Sequence, residues 1–248
     1  EFEPSWLAER RKVPVAIGGV HITHDLQNIM NDIPEADFAF VNEAEKAFIR
    51  FLSFVNGQTT MDQIGQVVIR LPSGHGGVRF GKQFVPDGED LDTIPPYEIM
   101  DIGAHSQVGT LGSWYGFRYE DTQIATVLSN RGCRAACTFC NVRTFNGKGV
   151  RQRSVESVLD ELTILHEQHG IGHIIWLDDD LLKNETRAIE LFNGMVKRNL
   201  DMTWDATNGV IAASVSDEVL DAAVASGCIG LNLGIESGNA DILRVIKK

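Results

Sequence analysis

The spacing of apolar positions divides the chain into two stretches of different rhythm. "VPVAIGG" at 13–19 is a short apolar run closed by two glycines, which predicts a buried parallel strand running into a tight turn. "ADFAFV" at 36–41 predicts a second strand of the same kind. Between 43 and 56, "EAEKAFIRFLSFVN" sets Ala44, Ala47, Phe48, Phe51 and the Phe54/Val55 pair at helical spacing. "GQVVIRLPSGHGGVRFGKQFV" at 65–85 reads as a β-hairpin with Gly74, Gly76 and Gly77 at its turn. Residues 1–85 are therefore expected to form the end of an open α/β domain with an appended hairpin.

The rhythm breaks at "PDGEDLDTIPP", an acidic, proline-rich stretch without apolar periodicity, and residues 86–121 are expected to be a linker. From 122 to 248 a strand, loop and helix repeat four times. "TQIATVLS" (122–129), "HIIWL" (173–177), "MTWDAT" (202–207) and "IGLNLGI" (229–235) are the predicted strands. Ser154 caps a helix running to about His169, with Val155, Val158, Leu159, Leu162 and Leu165 on one face and Gly170 as its stop. A second helix is expected from about Glu185 to Arg198. Ser216 caps a third, with Asp217 and Glu218 in its electropositive first turn and Gly227 at its end, and Asn239 caps a fourth. Strands alternating with helices at this spacing predict an α/β fold with a parallel sheet, open or curled into a barrel. The first domain shows two parallel strands where a doubly wound domain has about five, and the last helix follows a strand with a bare apolar edge. These features lead us to expect a fragment cut at both ends.

Composition narrows the classes. At 248 residues and 43% hydrophobic, the chain has material for substantial cores. No apolar run approaches the roughly 20 residues of a membrane helix, and the N-terminal stretch lacks the pattern of an export signal, so a cytoplasmic protein is expected. A formal net charge of −12 disfavours general binding to a phosphate backbone.

Candidate chemistry is concentrated in "SNRGCRAACTFCNVR" (129–143), where Cys133, Cys137 and Cys140 have the spacing C-x-x-x-C-x-x-C. A structural zinc site wants four protein ligands, and a thioredoxin-like pair would leave Cys133 unexplained. An iron–sulfur cluster held by three thiolates uses all three cysteines and leaves one iron open to an outside ligand. Arg131, Arg134 and Arg143 would stabilise the thiolates. The remaining Cys228 reads as a buried apolar residue, Arg153 as a surface or packing residue, and His105, His166, His169 and His173 show no ligand spacing. In a parallel βα array chemistry sits at the carboxyl ends of the strands. The cysteine loop, Asp178, Asp179, Asp180, Asn208, Glu236 and Ser237 all follow strand ends and are expected to meet at one mouth. The three aspartates suit an ammonium group or ribose hydroxyls.

On these residues, with Phe139 as the aromatic before the last cysteine, the chain resembles the radical S-adenosylmethionine (SAM) superfamily. "RQRSVESVLDEL", "IIWLDDD" and "GIESGNADIL" extend the likeness over 122–248. The resemblance implies the first four βα units of a partial TIM-type barrel, with a [4Fe-4S] cluster on Cys133, Cys137 and Cys140. The open iron would bind SAM, with Phe139, Asp178, Asp179, Asp180, Asn208, Glu236 and Ser237 as cofactor contacts. Reductive cleavage of SAM would then supply a 5′-deoxyadenosyl radical. "AIGGVHIT" and "PEADFAFVNEAEKAF" resemble the last strands of the doubly wound, flavodoxin-like cobalamin-binding domain fused ahead of many such enzymes. Gly18, Gly19 and Glu43 would contact cobalamin there; Asn42, Glu43, Ala44 and Glu45 stand where that family usually has Gly-Glu-Gly-Glu. The implied reaction is methyl transfer, or oxidative cyclisation or rearrangement, of a small or lipid-like substrate, with flavodoxin or ferredoxin as electron donor. Two alternatives remain at this stage: a methylthiotransferase acting on tRNA or a ribosomal protein, and a non-catalytic zinc or iron–sulfur binding module.

Overall fold

A computed structural model describes residues 14–70, 77–108 and 122–248. Two compact units are present: one takes in the chain up to Pro86 and Thr144–Asn146, the other Asp87–Arg143 and the chain from Gly147 on.

In the first unit the apolar runs become strands β1 (Ala16–Gly18) and β2 (Phe38–Phe40). Between them lie two short helices, α1 (Val20–His24) and α2 (Leu26–Asp32). Helix α3 (Glu45–Val55) follows, and β3 (Val67–Arg70) and β4 (Gly77–Phe80) complete a sheet of order β1-β2-β3-β4. β1 and β2 are parallel, with Ile17 opposite Ala39, whereas β3 is antiparallel to both β2 and β4. The hairpin expected over 65–85 is this β3–β4 pair; its turn residues Gly74 and Gly76 lie outside the described residues. β2 is buried throughout because successive side chains serve opposite faces. Phe38 and Phe40 pack with Phe51 on α3, and Ala39 and Val41 join Ile22 and Met30 on the other side. β1, expected to be buried, stands at one edge of the sheet among the described residues, and its ends are exposed.

Residues 87–108, expected within the linker, belong to the second unit. They form a single turn at Tyr97–Ile99 and helix α4 (Ile102–Val108). The Ser154 amide donates to Asp92 Oδ1 at 2.7 Å, Ser157 Oγ to the Asp92 carbonyl at 2.8 Å, and Tyr97 Oη to Glu161 Oε1 at 2.5 Å. The strand–helix series then runs β5 (Gln123–Val127), α5 (Val155–His169), β8 (Ile171–Trp176), α6 (Glu185–Lys197), β9 (Thr203–Val210), α7 (Asp217–Ala225), β10 (Cys228–Leu233) and α8 (Ala240–Ile246). A two-residue antiparallel pair, β6 (Asn130–Arg131) with β7 (Arg151–Gln152), brackets the cysteine loop.

The four long strands are all parallel and stand in chain order, β5-β8-β9-β10. Helices α5, α6 and α7 each begin at a side-chain cap: Ser154 Oγ accepts from the Ser157 amide, Asn184 Oδ1 from Arg187 and Ser216 Oγ from Val219. Helix α5 stops at Gly170, in the left-handed conformation at φ 66°, which frees glycine from the Cβ clash other residues meet there. Leu159, Leu162 and Leu165 of α5 and Leu191, Phe192 and Met195 of α6 pack over Ile174, Trp176 and Trp204 of the sheet. Phe192 stacks on Trp204 at 4.8 Å, whose indole N–H is satisfied by Ser226 Oγ at 3.0 Å. Among the described residues no helix is long and apolar enough to cross a membrane.

Candidate functional site at the carboxyl ends of the parallel strands

The parallel order turns every strand's carboxyl end to one side of the sheet, and the cysteine loop leaves β5 there. Two limbs of the loop are held differently. Along the limb from Leu128 to Arg134 the three aspartates after β8 act as a rack. Asp178 accepts from the Ser129 amide at 2.9 Å and Ser129 Oγ at 2.5 Å. Asp179 accepts from the Gly132 amide at 3.2 Å. Asp180 accepts from the Arg134 amide at 3.2 Å and takes a two-pronged contact from its guanidinium, both prongs at 2.8 Å. The Asp180 carbonyl accepts from Asn130 Nδ2 at 3.1 Å, and Cys133 Sγ lies 4.0 Å from Asp180 Oδ2. Burial, then the negative charges of Asp180, Asp179 and Cys137, push the Cys133 thiol up, against one amide hydrogen bond from Ala135.

Further on, Cys137 is half-buried and Cys140 exposed. The three thiols border one cavity of about 270 Å³, and Phe139, Asp179, Asn208 and Glu236 reach its wall. Asn208 is tied to the end of the neighbouring strand, its Nδ2 donating to the carbonyls of Leu177 and Asp178 at 3.0 and 3.1 Å. Among the described residues no three His, Cys, Asp or Glu side chains gather to hold a metal ion directly. The thiols surround a volume rather than a point, a donor set that fits a polynuclear cluster with room beside it.

Not every expected residue reaches this cavity. Asp178 and Asp180 are 2% and 1% exposed and are absorbed in holding the loop. Asp179 alone of the three reaches the cavity wall. Ser237 is half-buried and its Oγ accepts from the Asn239 amide at 3.1 Å, serving the turn into α8. Gly18, Gly19 and Glu43 lie in the first unit. There Gly19, at φ 107°, adopts a backbone that favours glycine, while a Cβ on Gly18 would make only ordinary contact with Phe40. Glu43 is buried, and its carbonyl accepts from Gln66 Nε2 at 2.8 Å. The loops after β1 and β2 meet at Thr23, whose hydroxyl donates to the Gly19 carbonyl at 2.9 Å and accepts from the Asn42 amide at 2.8 Å.

The arginines divide. Arg134 is paired with Asp180, close enough to Cys133 to feel a thiolate there. Arg143 borders the cavity and donates to the Ala135 carbonyl at 3.2 Å. Arg153 is a packing residue, 8% exposed and paired with Glu161. Burial pushes the Cys228 thiol up to about 11, as suits an inert core cysteine. Sequence reasoning passed over Ser129 and Arg187, which brace the loop. Arg187 had a signal: it shares the apolar stripe of Leu191 and Met195 at four-residue spacing, where a charge needs a buried partner.

Comparison with known proteins bears on the family and the fold. The family model described as the radical SAM superfamily matches residues 127–248, from the end of β5 through α8. That segment belongs to the radical SAM superfamily. Cytidylyl-2-hydroxyethylphosphonate methyltransferase of Streptomyces wedmorensis is 27% identical over 94% of the chain and 46% of its own length. An anaerobic magnesium-protoporphyrin IX monomethyl ester cyclase of Cereibacter sphaeroides is 23% identical over 94% of the chain and 36% of its own. The radical SAM methyltransferase TsrM of Kitasatospora setae, solved with cobalamin and a [4Fe-4S] cluster bound, has the same fold, with a TM-score of 0.69 at 18% identity. That likeness covers 97% of this chain and 45% of TsrM. The chain thus spans less than half the length of these relatives, and both units lie inside the matched region.

Proposed function

We propose that this protein is a radical SAM enzyme of the cobalamin-binding class. On this reading residues 1–85 are the end of a flavodoxin-like cobalamin domain with its hairpin, 86–121 the connection, of which 87–108 pack with the second unit, and 122–248 the first four βα units of a partial TIM-type barrel. The observation that carries it is the meeting of Cys133, Cys137 and Cys140 on one cavity with Asp179, Asn208 and Glu236 at successive strand ends. Cys133, Cys137 and Cys140 would hold a [4Fe-4S] cluster, and Asp179, Asn208 and Glu236 offer acceptors at the wall for the amino group and hydroxyls of SAM. When bound and reduced, the cluster with SAM supplies a 5′-deoxyadenosyl radical. The chain's own work is to fix three thiolates and aim polar groups at the sulfonium ligand. In the first unit Gly19 takes a positive φ and the segments after β1 and β2 are joined through Thr23, and Gly18, Gly19 and Glu43 belong to the segment that would border cobalamin. The reaction we assign is methyl transfer to an unactivated carbon, or oxidative cyclisation, on a small or lipid-like substrate, with a flavodoxin or ferredoxin as electron donor.

Anaerobic reconstitution with iron and sulfide tests this. The expected result is a broad absorbance near about 400 nm, lost with Cys137→Ala, and 5′-deoxyadenosine formed from SAM under reduction. Stoichiometric zinc with no iron bound would sink the reading. A cobalamin titration followed by visible absorbance tests the first unit separately.

A further inference from the structure

The cysteine loop starts on a buried electrostatic clamp that touches none of the cavity. Ser129 is 0% exposed, and its polar groups are all engaged. Its amide and hydroxyl donate to Asp178, and its carbonyl accepts from the Arg153 amide at 3.1 Å and from Arg187 Nη2 at 3.0 Å. Arg187, in the first turn of α6, also donates to the Arg153 carbonyl from Nε at 3.2 Å and Nη2 at 2.9 Å, and from Nη1 to Ser129 Oγ at 3.4 Å. Arg153 in turn reaches the Leu128 carbonyl at 3.0 Å and is paired with Glu161, which also accepts from Tyr97. Opposite charges on Arg187 and Asp178 thus meet through a serine, and through it they fix the backbone four residues before Cys133.

Burying such charges is a poor way to gain stability, because desolvation offsets most of the attraction and packed apolar residues would do as well. What it provides instead is direction. A guanidinium presents its donors in a rigid plane, so a carbonyl held by two of them is fixed in angle as well as distance. A loop that must present a thiolate to a ligand of fixed geometry needs that, and an apolar contact cannot supply it. The far limb of the loop is built otherwise: Cys140 is exposed, and Phe139 beside it is 56% exposed.

We propose that Arg187 and Asp178 are positioning residues for Cys133, holding its limb of the cysteine loop in ligand-ready geometry before any metal arrives. This rests on the reading of the three cysteines as cluster ligands, and the test separates the two. In the intact metal-free chain, trace alkylation with iodoacetamide at fixed pH, read by mass spectrometry, reports the rate at Cys133 relative to Cys140 without any cluster. Arg187→Met should raise that ratio about tenfold, the factor expected when a hydrogen bond to a charged group no longer resists local opening. The same variant should lower iron bound on reconstitution and alter the electron paramagnetic resonance signal of the reduced cluster. Arg187→Lys should fall between, since an ammonium can reach the Ser129 carbonyl without forking to Arg153. An unchanged alkylation ratio with an unchanged cluster signal in a folded Arg187→Met protein overturns the proposal. Should that variant not fold, Ser129→Ala removes only the hydroxyl and keeps the amide bond to Asp178; a ratio raised several-fold supports the clamp, and an unmoved one overturns it. Wild-type protein that binds no iron would defeat the cluster reading and leave the alkylation test intact.

Discussion

Asp178 shows how a single carboxyl can be coupled to the whole unit. Burial pushes its pKa up to about 6, against the pull of Ser129's two donors and the charge of Arg187. Because the folded value lies above the unfolded one, this group's contribution to stability is fully present below about pH 4 and is lost as pH rises through about 6. Denaturant midpoints of the wild type and Asp178→Asn, compared from acid to neutral pH, should therefore converge: the wild-type margin shrinks over that window and is flat above it. A margin that grows with pH would mean that the donors, not burial, dominate. The acidic trio was visible in the sequence, but not which members face the cavity. Strand parity held the answer, since Asp178 and Asp180 continue the alternation of Ile174 and Trp176, which are core residues. The three cysteines needed no such argument, because their spacing alone puts them on one loop. Ser129 offered no sequence signal, as its role comes from partners 49 and 58 positions away.

Among the elements, α5 and α7 were the most legible, because each has a serine cap and a glycine stop, whereas α4 fell in the expected linker. α1 and α2 went unread; at five and seven residues they are too short to repeat a period. β1 was read correctly as parallel but not as an edge, since edge position depends on which strands exist, not on its own composition. The strand ends are laced by side chains in a continuous series: Asn232 Nδ2 donates to the Thr207 carbonyl at 2.9 Å, Asn208 to Leu177 and Asp178, and Asp178 accepts from Ser129. Gly227 secures the other end of this sheet, between α7 and β10. Its φ is 94°, and a Cβ there would stand 2.1 Å from the Met202 carbonyl oxygen. Gly227→Ala should destabilise the fold by about 2 kcal/mol or more, combining left-handed strain with a backbone clash. Urea denaturation checks it; a loss below half that figure would show that the β9–β10 corner yields.

At the scale of the molecule, the stretch from Asp87 to Val108 was expected to be a linker because its prolines and acids break every period. Its anchoring depends on single polar contacts that no pattern reveals. Tyr97 is one: burial and the neighbouring Glu161 carboxylate drive its phenol pKa far up, so it stays a donor at any ordinary pH. Tyr97→Phe should cost about 1–3 kcal/mol by leaving a buried carboxylate oxygen without its donor, and should speed amide exchange in 87–108; equal stability would show that Glu161 is satisfied by Arg153 alone. The chain-ordered sheet has a further consequence, in time rather than space. During synthesis each new strand docks on the one just made, so the sheet grows in the direction of translation. The cysteine loop emerges on the first of its strands, yet Asp178 lies 49 residues behind Ser129. At about 5–20 residues per second that is roughly 2–10 s in which the thiols are out of the ribosome and unbraced. Metal offered in that interval meets a loose loop, so cluster loading that depends on a formed Cys133 limb has to wait for Asp178 and then Arg187 to appear.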